Sequence, residues 1–348
     1  MKKTIGILSS DWHLDKDNFL EKKDLIKQKI ALAKQLKVKN LFCAGDIFIE
    51  RKARPLIDLK YFDELLNLIQ ESGLNLYLIP GNHDKVNYNS DDSYLLTYKH
   101  HPNLHLFQVP TSIKIDENNS FYFVPYYDEL TSLYLEKLKS IHLDEGVKYH
   151  HLITHVSINS VKNNERNVVM NDIREVFFKD FTNVFVGHYH DRQDVGKNIH
   201  YIGSLNQGNF GEDNNKGFTI LYEDGSFEYT KSKFKEYKQI EIKVDENFSL
   251  KQIDDLLKEN ENSTNHIRFS FLGKEMFLKN IDKKYIERYG FDVKMKQIEV
   301  ENGIELAKKE EFVNFTKGNL MNEFKEFCEE KKIENNKYGV EVLTKHLR

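Results

Sequence analysis

The sequence predicts an α/β protein in which β-sheets are covered by helices, continued by a small α/β domain and a C-terminal helix. Three observations lead there. Short apolar runs alternate with stretches of helical periodicity from Thr4 onward, five of these runs end in Asp, Asn or His, and residue usage changes near position 238. All five prolines lie at or before Pro125 and twelve of the fourteen histidines at or before His200, whereas the later chain is rich in Lys, Glu and Asn. With 348 residues, 39% of them hydrophobic and 12% aromatic, the chain carries enough apolar surface to offset the entropy of ordering, which excludes a disordered protein.

Runs at 4–8, 41–44 and 74–79 read as strands. The helices between them are marked by Leu20, Ile26, Ile30 and Ala33, and by Leu59, Phe62, Leu65, Leu66 and Ile69, each set near the 3.6-residue period of a single face. This β-α-β-α-β order predicts parallel strands with helices on both faces. Runs at 104–109, 121–124, 152–154 and 184–186 continue the layering, with Leu130, Leu133, Tyr134, Leu138 and Ile141 at helical spacing among them. Stretches 218–222 and 227–229, joined by Glu223-Asp224-Gly225-Ser226, read as a hairpin that closes a first domain over 1–238. Beyond it, runs at 240–244, 267–272 and 291–299 with helical stretches at 250–257 and 281–289 predict a small β-α-β-α-β domain over 239–305. In the remaining segment, 306–348, Met321, Phe324, Phe327 and Cys328 share one face of an expected amphipathic helix starting near Leu320.

Lys and Arg number 51 against 55 Asp and Glu, so a formal charge of −4 excludes recognition of a polyanion through a general positive field; a local patch or a metal must meet it. Two cysteines, Cys43 and Cys328, exclude a disulfide framework and a structural zinc site. No apolar stretch reaches the roughly 18 residues of a membrane span, and no Walker A motif is present. The expectation is a cytoplasmic protein that does not itself hydrolyse ATP.

The chemistry is expected where the apolar runs end: at Asp11-Trp12-His13, Gly45-Asp46, Gly81-Asn82-His83-Asp84, His155 and Gly187-His188-Tyr189-His190. Sites in open α/β sheets form outside the carboxyl ends of the strands, so these pieces converge in one crevice. Three Asp, one Asn and five His with no thiolate suit manganese, iron or zinc, and their number suits two ions. In Asp-x-His and His-x-His, side chains two apart on an extended segment point the same way, so each stretch can supply two ligands. His151 is the near rival of His155, which is preferred because it follows its apolar run. His100, His101, His105, His142, His150 and His200 read as structural or surface groups.

This ordered set resembles the calcineurin-like metallophosphoesterases, over about the first 220 residues. The resemblance implies a layered metallophosphoesterase fold holding two divalent ions, manganese first, with magnesium, iron or zinc as alternatives. Carried over by position, Asp11, His13, Asp46 and His190 would hold one ion and Asp46, Asn82, His155 and His188 the other, with Asp46 bridging. Two such ions would activate a hydroxide for in-line attack on the phosphorus. His83 would stand near the leaving-group oxygen as general acid or stabiliser of the transition state, oriented by Asp84. Serine/threonine protein phosphatases would carry Gly-Asp-x-Val-Asp-Arg-Gly where this chain reads GDIFIERK.

Within that family, Asp11-Trp12-His13-Leu14, Gly45-Asp46-Ile47-Phe48, Tyr201-Ile202-Gly203-Ser204, Gly211-Glu212 and Lys216-Gly217-Phe218 are similar to the SbcD-type (Mre-type) DNA repair nucleases, including the branch found in T-even phages. The similarity implies a homodimeric DNA endonuclease and exonuclease, in the host cytoplasm if the source is viral. It also implies that 239–305 is a DNA-capping domain and that the helix in 306–348 docks on an SbcC-type, SMC-like ATPase. Basic residues available to DNA phosphates are Arg51, Lys52 and Arg54, then Lys231, Lys233, Lys235 and Lys238. Stretches 59–69 and 94–98 are the candidates for pairing two copies. Ile49 stands where many relatives have a histidine linked to exonuclease action, which puts that activity in doubt but leaves metal binding intact. The competing expectations are a phosphodiesterase or phosphomonoesterase for a small substrate, which would not need the last 110 or so residues, and a non-catalytic subunit whose metals are structural.

Overall fold

A computed structural model describes residues 2–51, 55–301 and 304–307. The described residues separate into two compact units, one within 2–238 with Thr264–His266 and one of Gln239–Ser263 with the described residues from Ile267 onward. The first unit contains, in order, β1 (Thr4–Ser9), α1 (Phe19–Gln35), β2 (Asn40–Cys43), α2 (Leu56–Glu71), β3 (Asn75–Leu78), β4 (Leu104–Leu106), β5 (Thr111–Lys114), β6 (Asn119–Val124), α3 (Leu133–Lys139), β7 (Tyr149–His155), β8 (Asn183–Gly187), β9 (Gln193–Val195), β10 (Ile199–Tyr201), β11 (Gly217–Tyr222) and β12 (Phe227–Lys231).

These strands make two six-stranded sheets, ordered β12-β11-β1-β2-β3-β4 and β5-β6-β7-β8-β10-β9. Strands β1 to β4 run parallel, and β11 joins β1 antiparallel with Thr4 opposite Tyr222. In the second sheet β6, β7, β8 and β10 are parallel, with β5 and β9 antiparallel at the edges.

Side-chain alternation along the strands builds three apolar layers. On β2, Leu41 and Cys43 face the cluster under α1 and α2, whereas Phe42 and Ala44 face the second sheet. On β8, Val184 and Val186 face the α3 side and Phe185 faces inward. The inner layer joins Ile5, Leu8, Phe42, Phe121, Phe123, Ile153 and Phe185, with Phe42 stacked on Phe121 at 4.5 Å. The expectation of helices on both faces of the sheet is therefore corrected: each sheet has helices on one face and the other sheet on its second face. Runs buried on both faces read alike in sequence whether a helix or a sheet covers them.

Three smaller differences follow. Leu20, expected on the buried face of α1, is 79% exposed, and Phe19 takes its place, stacked on Tyr61 at 3.8 Å. The 94–98 stretch is a short 3-10 helix whose Leu95 N–H is capped by the Ser93 side chain. The apolar face of α2 that was a candidate for pairing, Phe62, Leu65, Leu66 and Ile69, is buried in the chain's own core.

The second unit is built on a four-stranded sheet ordered β13 (Tyr237–Val244), β14 (His266–Gly273), β15 (Asp292–Glu301), β16 (Ile304–Ala307), in which Tyr237, Lys238 and His266 count with the first unit, together with α4 (Leu250–Asn260), α5 (Glu275–Leu278) and α6 (Lys283–Glu287). Its own core includes Ile253, Leu257, Phe269, Phe271 and Ile286. Strand β16 runs across the boundary expected at 305. The helix expected from Leu320 lies outside the described residues, as do Lys52 and Arg54. Among the described residues no helix is long and apolar enough to cross a membrane.

Candidate metal centre

The five expected pieces meet at the carboxyl ends of β1, β2, β3, β7 and β8, and so draw on both sheets. The loops after β1 and β2 are laced together: Asp11 N–H donates to the Gly45 carbonyl (3.0 Å), His13 N–H to the Asp46 carbonyl (3.1 Å) and Leu14 N–H to the Ile47 carbonyl (2.7 Å). Asp11, His13, Asp46 and His188 all adopt left-handed backbone, with φ of 52°, 48°, 55° and 98°. Such conformations cost about 1 to 3 kcal/mol each in residues other than glycine, and they gather at functional sites. Here they turn four candidate ligands over the strand ends.

The side chains converge tightly. Asp46 Oδ1 accepts the His83 N–H at 2.8 Å, which leaves Oδ2 at 3.4 Å from His155 Nε2, 3.7 Å from His13 Nε2 and 3.9 Å from His83 Nε2. Asp11, pointing in from β1, accepts the His188 N–H at 3.2 Å and lies 3.7 Å from His13 Nε2. Asn82 Oδ1 is 2.9 Å from His155 Nε2 and 2.9 Å from His188 Nδ1. His190 Nε2 stands 3.1 Å from His13 Nε2. Three sets, Asp11 with His13 and His190, His13 with Asp46 and His83, and Asp11 with Asp46 and His155, each bring their ligand atoms within 4.8 Å of one another.

This donor set fits divalent ions. Atoms sharing one octahedral ion at about 2.1 Å stand roughly 3 Å apart, as the Asn82–His155, Asn82–His188 and His13–His190 atoms do, and the carboxylate–imidazole pairs are somewhat wider at 3.4 to 3.9 Å. Turning the Asn82 amide would let its nitrogen donate to Asp46 Oδ2 at 3.3 Å and to both imidazoles at 2.9 Å, satisfying crowded lone pairs with protons. A cation would satisfy the same lone pairs with the amide oxygen facing inward.

Three of the imidazoles are aimed from behind. His155 Nδ1 faces the Ala44 carbonyl at 2.7 Å, His13 Nδ1 the Phe48 carbonyl at 3.3 Å and His190 Nδ1 the Glu212 carboxylate at 2.8 Å, so each turns Nε2 into the cluster. Burial alone would raise the Asp11 carboxyl, but the His13 hydrogen bond and the nearby imidazoles hold it at about 2. Burial would likewise raise Asp46, yet His155, His83 and His13 keep it well below the usual carboxylate range. Burial lowers His155, but Asp46 and Asp11 push it up to about 9.

His83 lies at the edge of the cluster, with its ring 4.8 Å from that of His13. Its Nδ1 faces the Ile49 carbonyl at 2.5 Å, and its Nε2 accepts from Arg51 Nε at 3.0 Å. Burial, helped by His13 and Arg51 and opposed by Asp46, brings it down to about 4, so the imidazole is neutral near pH 7. The expectation that Asp84 orients His83 is corrected by this geometry, since both ring nitrogens face other groups. The Asp84 carboxylate instead accepts from Gly81 N–H (2.9 Å), Ile47 N–H (3.0 Å) and Phe48 N–H (3.2 Å), tying the loop after β3 to the loop after β2. Three buried backbone donors attract a carboxylate that cannot face solvent.

The cluster lies in an open cleft of about 930 Å³ whose wall also includes Arg51, Asn164, Glu212 and Lys235. Of the other basic candidates, Lys231 Nζ donates to Glu236 at 2.8 Å and Lys238 Nζ lies 3.6 Å from the same carboxylate; Lys233 meets Gln28 through its backbone. Sequence reasoning assigned no role to Asn164, which accepts the His190 N–H at 2.8 Å, or to Glu212, although Gly211-Glu212 stood among the similar stretches.

The sequence profile of calcineurin-like phosphoesterases matches residues 7–221. Exonuclease subunit 1 of Enterobacteria phage T4 is 26% identical over an alignment of length 205 that covers 56% of this chain and 57% of that protein, so the chain spans little more than half of this relative. Among solved structures, a dimetal phosphatase from Danio rerio is similar with a TM-score of 0.40 at 11% identity, covering 64% of this chain and 93% of that one.

Proposed function

The chain belongs to the calcineurin-like phosphoesterase family, and from that premise we propose that it is a metal-dependent DNA nuclease, the catalytic subunit of a recombination or repair complex. The observation that carries this reading is the set of ligand clusters around Asp46 and Asp11, built from both sheets and open to a cleft. Divalent ions bound there, manganese in this reading, supply a Lewis-acid clamp on the phosphodiester and a water acidic enough to attack it near neutral pH. Asp11, His13, Asp46 and His190 hold one ion, and Asp46, Asn82, His155 and His188 the other.

His83 and Arg51 line the same cleft. With Nε2 of a neutral His83 accepting from its Nε, Arg51 is the member of the pair that can stabilise negative charge on the departing oxygen, and His83 holds the guanidinium in place. Asp84 acts through the loop it ties down and does not touch the reacting atoms. Arg51 and Lys235, both in the cleft wall, are the basic residues placed for contact with backbone phosphates.

DNA as the substrate is supported by the similarity to a phage protein named as an exonuclease subunit, and by a second folded unit that a small phosphoester would not require. That name also supports a larger assembly. In this reading the segment 306–348 engages an SMC-like ATPase, the second unit caps the DNA, and two copies pair.

Cleavage of labelled single- and double-stranded DNA in manganese tests the proposal. The expected result is cutting by the wild type and none by His83→Ala, with manganese bound by both. Turnover of a chromogenic phosphodiester, with DNA left intact even when the ATPase is added, would replace the nuclease reading with that of a small-substrate phosphoesterase.

A further inference from the structure

Among the imidazoles of the cluster, His190 differs in what stands behind it. His13 and His155 are backed by neutral carbonyls, whereas His190 Nδ1 faces the Glu212 carboxylate at 2.8 Å. The Glu212 side chain is only 2% exposed. It is held by Gly208 N–H (3.0 Å), Asn209 Nδ2 (3.1 Å) and Lys216 Nζ (3.2 Å) as well as by the imidazole. Lys216, fully buried, also donates to the His190 carbonyl at 2.6 Å and to Asp191 Oδ1 at 2.7 Å. One ammonium thus grips both the backbone of His190 and the carboxylate that holds its ring.

An ionised carboxylate only accepts hydrogen bonds, so the His190 proton is fixed on Nδ1 and the Nε2 lone pair is turned toward His13. A full negative charge behind an imidazole also makes the opposite nitrogen a better donor to a metal than a carbonyl does. We propose that Glu212, held by Lys216, is a positioning residue for His190 and sets the affinity of the ion shared by Asp11, His13 and His190 selectively over that of the ion at Asn82, His155 and His188. The inference rests on the two-ion reading of the cluster.

Manganese binding to the full chain, followed by electron paramagnetic resonance of the free ion, tests it without using catalysis. The wild type is expected to bind two ions. Glu212→Gln is expected to lose about ten- to a hundredfold in affinity at one site while the other stays within about threefold. In a His190→Ala background the same substitution is expected to add nothing.

An equal loss at both sites, no loss at either, or a further loss in the His190→Ala background overturns the proposal. A wild type that binds no manganese overturns instead the reading on which it rests. Should Glu212→Gln fail to fold, Glu212→Asp, which keeps the charge but withdraws it by one methylene, is expected to show the same one-site loss, and unchanged binding by that variant overturns the proposal equally.

Discussion

Asp84 and Lys29 are buried ionisable residues with opposite consequences. Asp84 satisfies the N–H groups of Gly81, Ile47 and Phe48, so Asp84→Ala strands backbone donors in the interior. That substitution is expected to cost about 2 to 5 kcal/mol in urea unfolding. Lys29 is fully buried and donates to Ser9 Oγ (2.7 Å) and the Phe42 carbonyl (2.9 Å). Burial lowers it from 10.5 to about 7, with Cys43 opposing the shift. Between those two values the unfolded chain binds more protons than the folded one, so stability rises with pH across that window. The cost of burying the charge is present in full below about 7 and gone above 10.5. Lys29→Met is therefore expected to raise the melting temperature relative to wild type most at pH 6, the advantage shrinking steadily toward pH 10. A difference that stays constant across this range would rule out a buried charge as its source.

At the scale of elements, the strand ends carry the site because they approach one another closely. A Cβ on Gly81 would lie 2.2 Å from Asp46 Oδ1 and one on Gly187 2.2 Å from Ser10 Oγ. Gly81→Ala is expected to displace Asp46 and weaken manganese binding about tenfold or more, measurable by calorimetry, with the strands themselves intact. Much of this was legible in the sequence. Asp11, His13, Asp46, Asn82, His155, His188 and His190 could be named because each ends or follows an apolar run, and strand ends are where an α/β sheet gathers its polar groups. The second sheet packed on the first was not legible, because Phe42 or Phe185 gives the same apolar signal under a helix or under a strand. Leu20 misled for a related reason: its spacing suits a buried face, but Phe19 next to it occupies the space against Tyr61. Glu212 holds His190, and Asp84 the N–H groups of Ile47 and Phe48, across long stretches of sequence, and only the folded backbone shows these partners.

For the whole molecule, candidate ligands drawn from both sheets would make ion binding and sheet packing one equilibrium. Chelation by EDTA is expected to lower the melting temperature, and manganese at a hundred times its dissociation constant to restore about 2.7 kcal/mol per site. An unchanged melting temperature on chelation would mean that the ions bind folded and unfolded chains alike. The pairing of β1 with β11 sets a different constraint, one of time. Thr4 lies opposite Tyr222, so during synthesis β1 has no partner on that edge until more than two hundred further residues are made. At about 5 to 20 residues per second, that interval is on the order of ten to forty seconds. Throughout it the strand that delivers Asp11 and His13 has an open hydrogen-bonding edge, and a nascent chain stalled within the first unit is the form of this protein most exposed to aggregation or to capture by a chaperone.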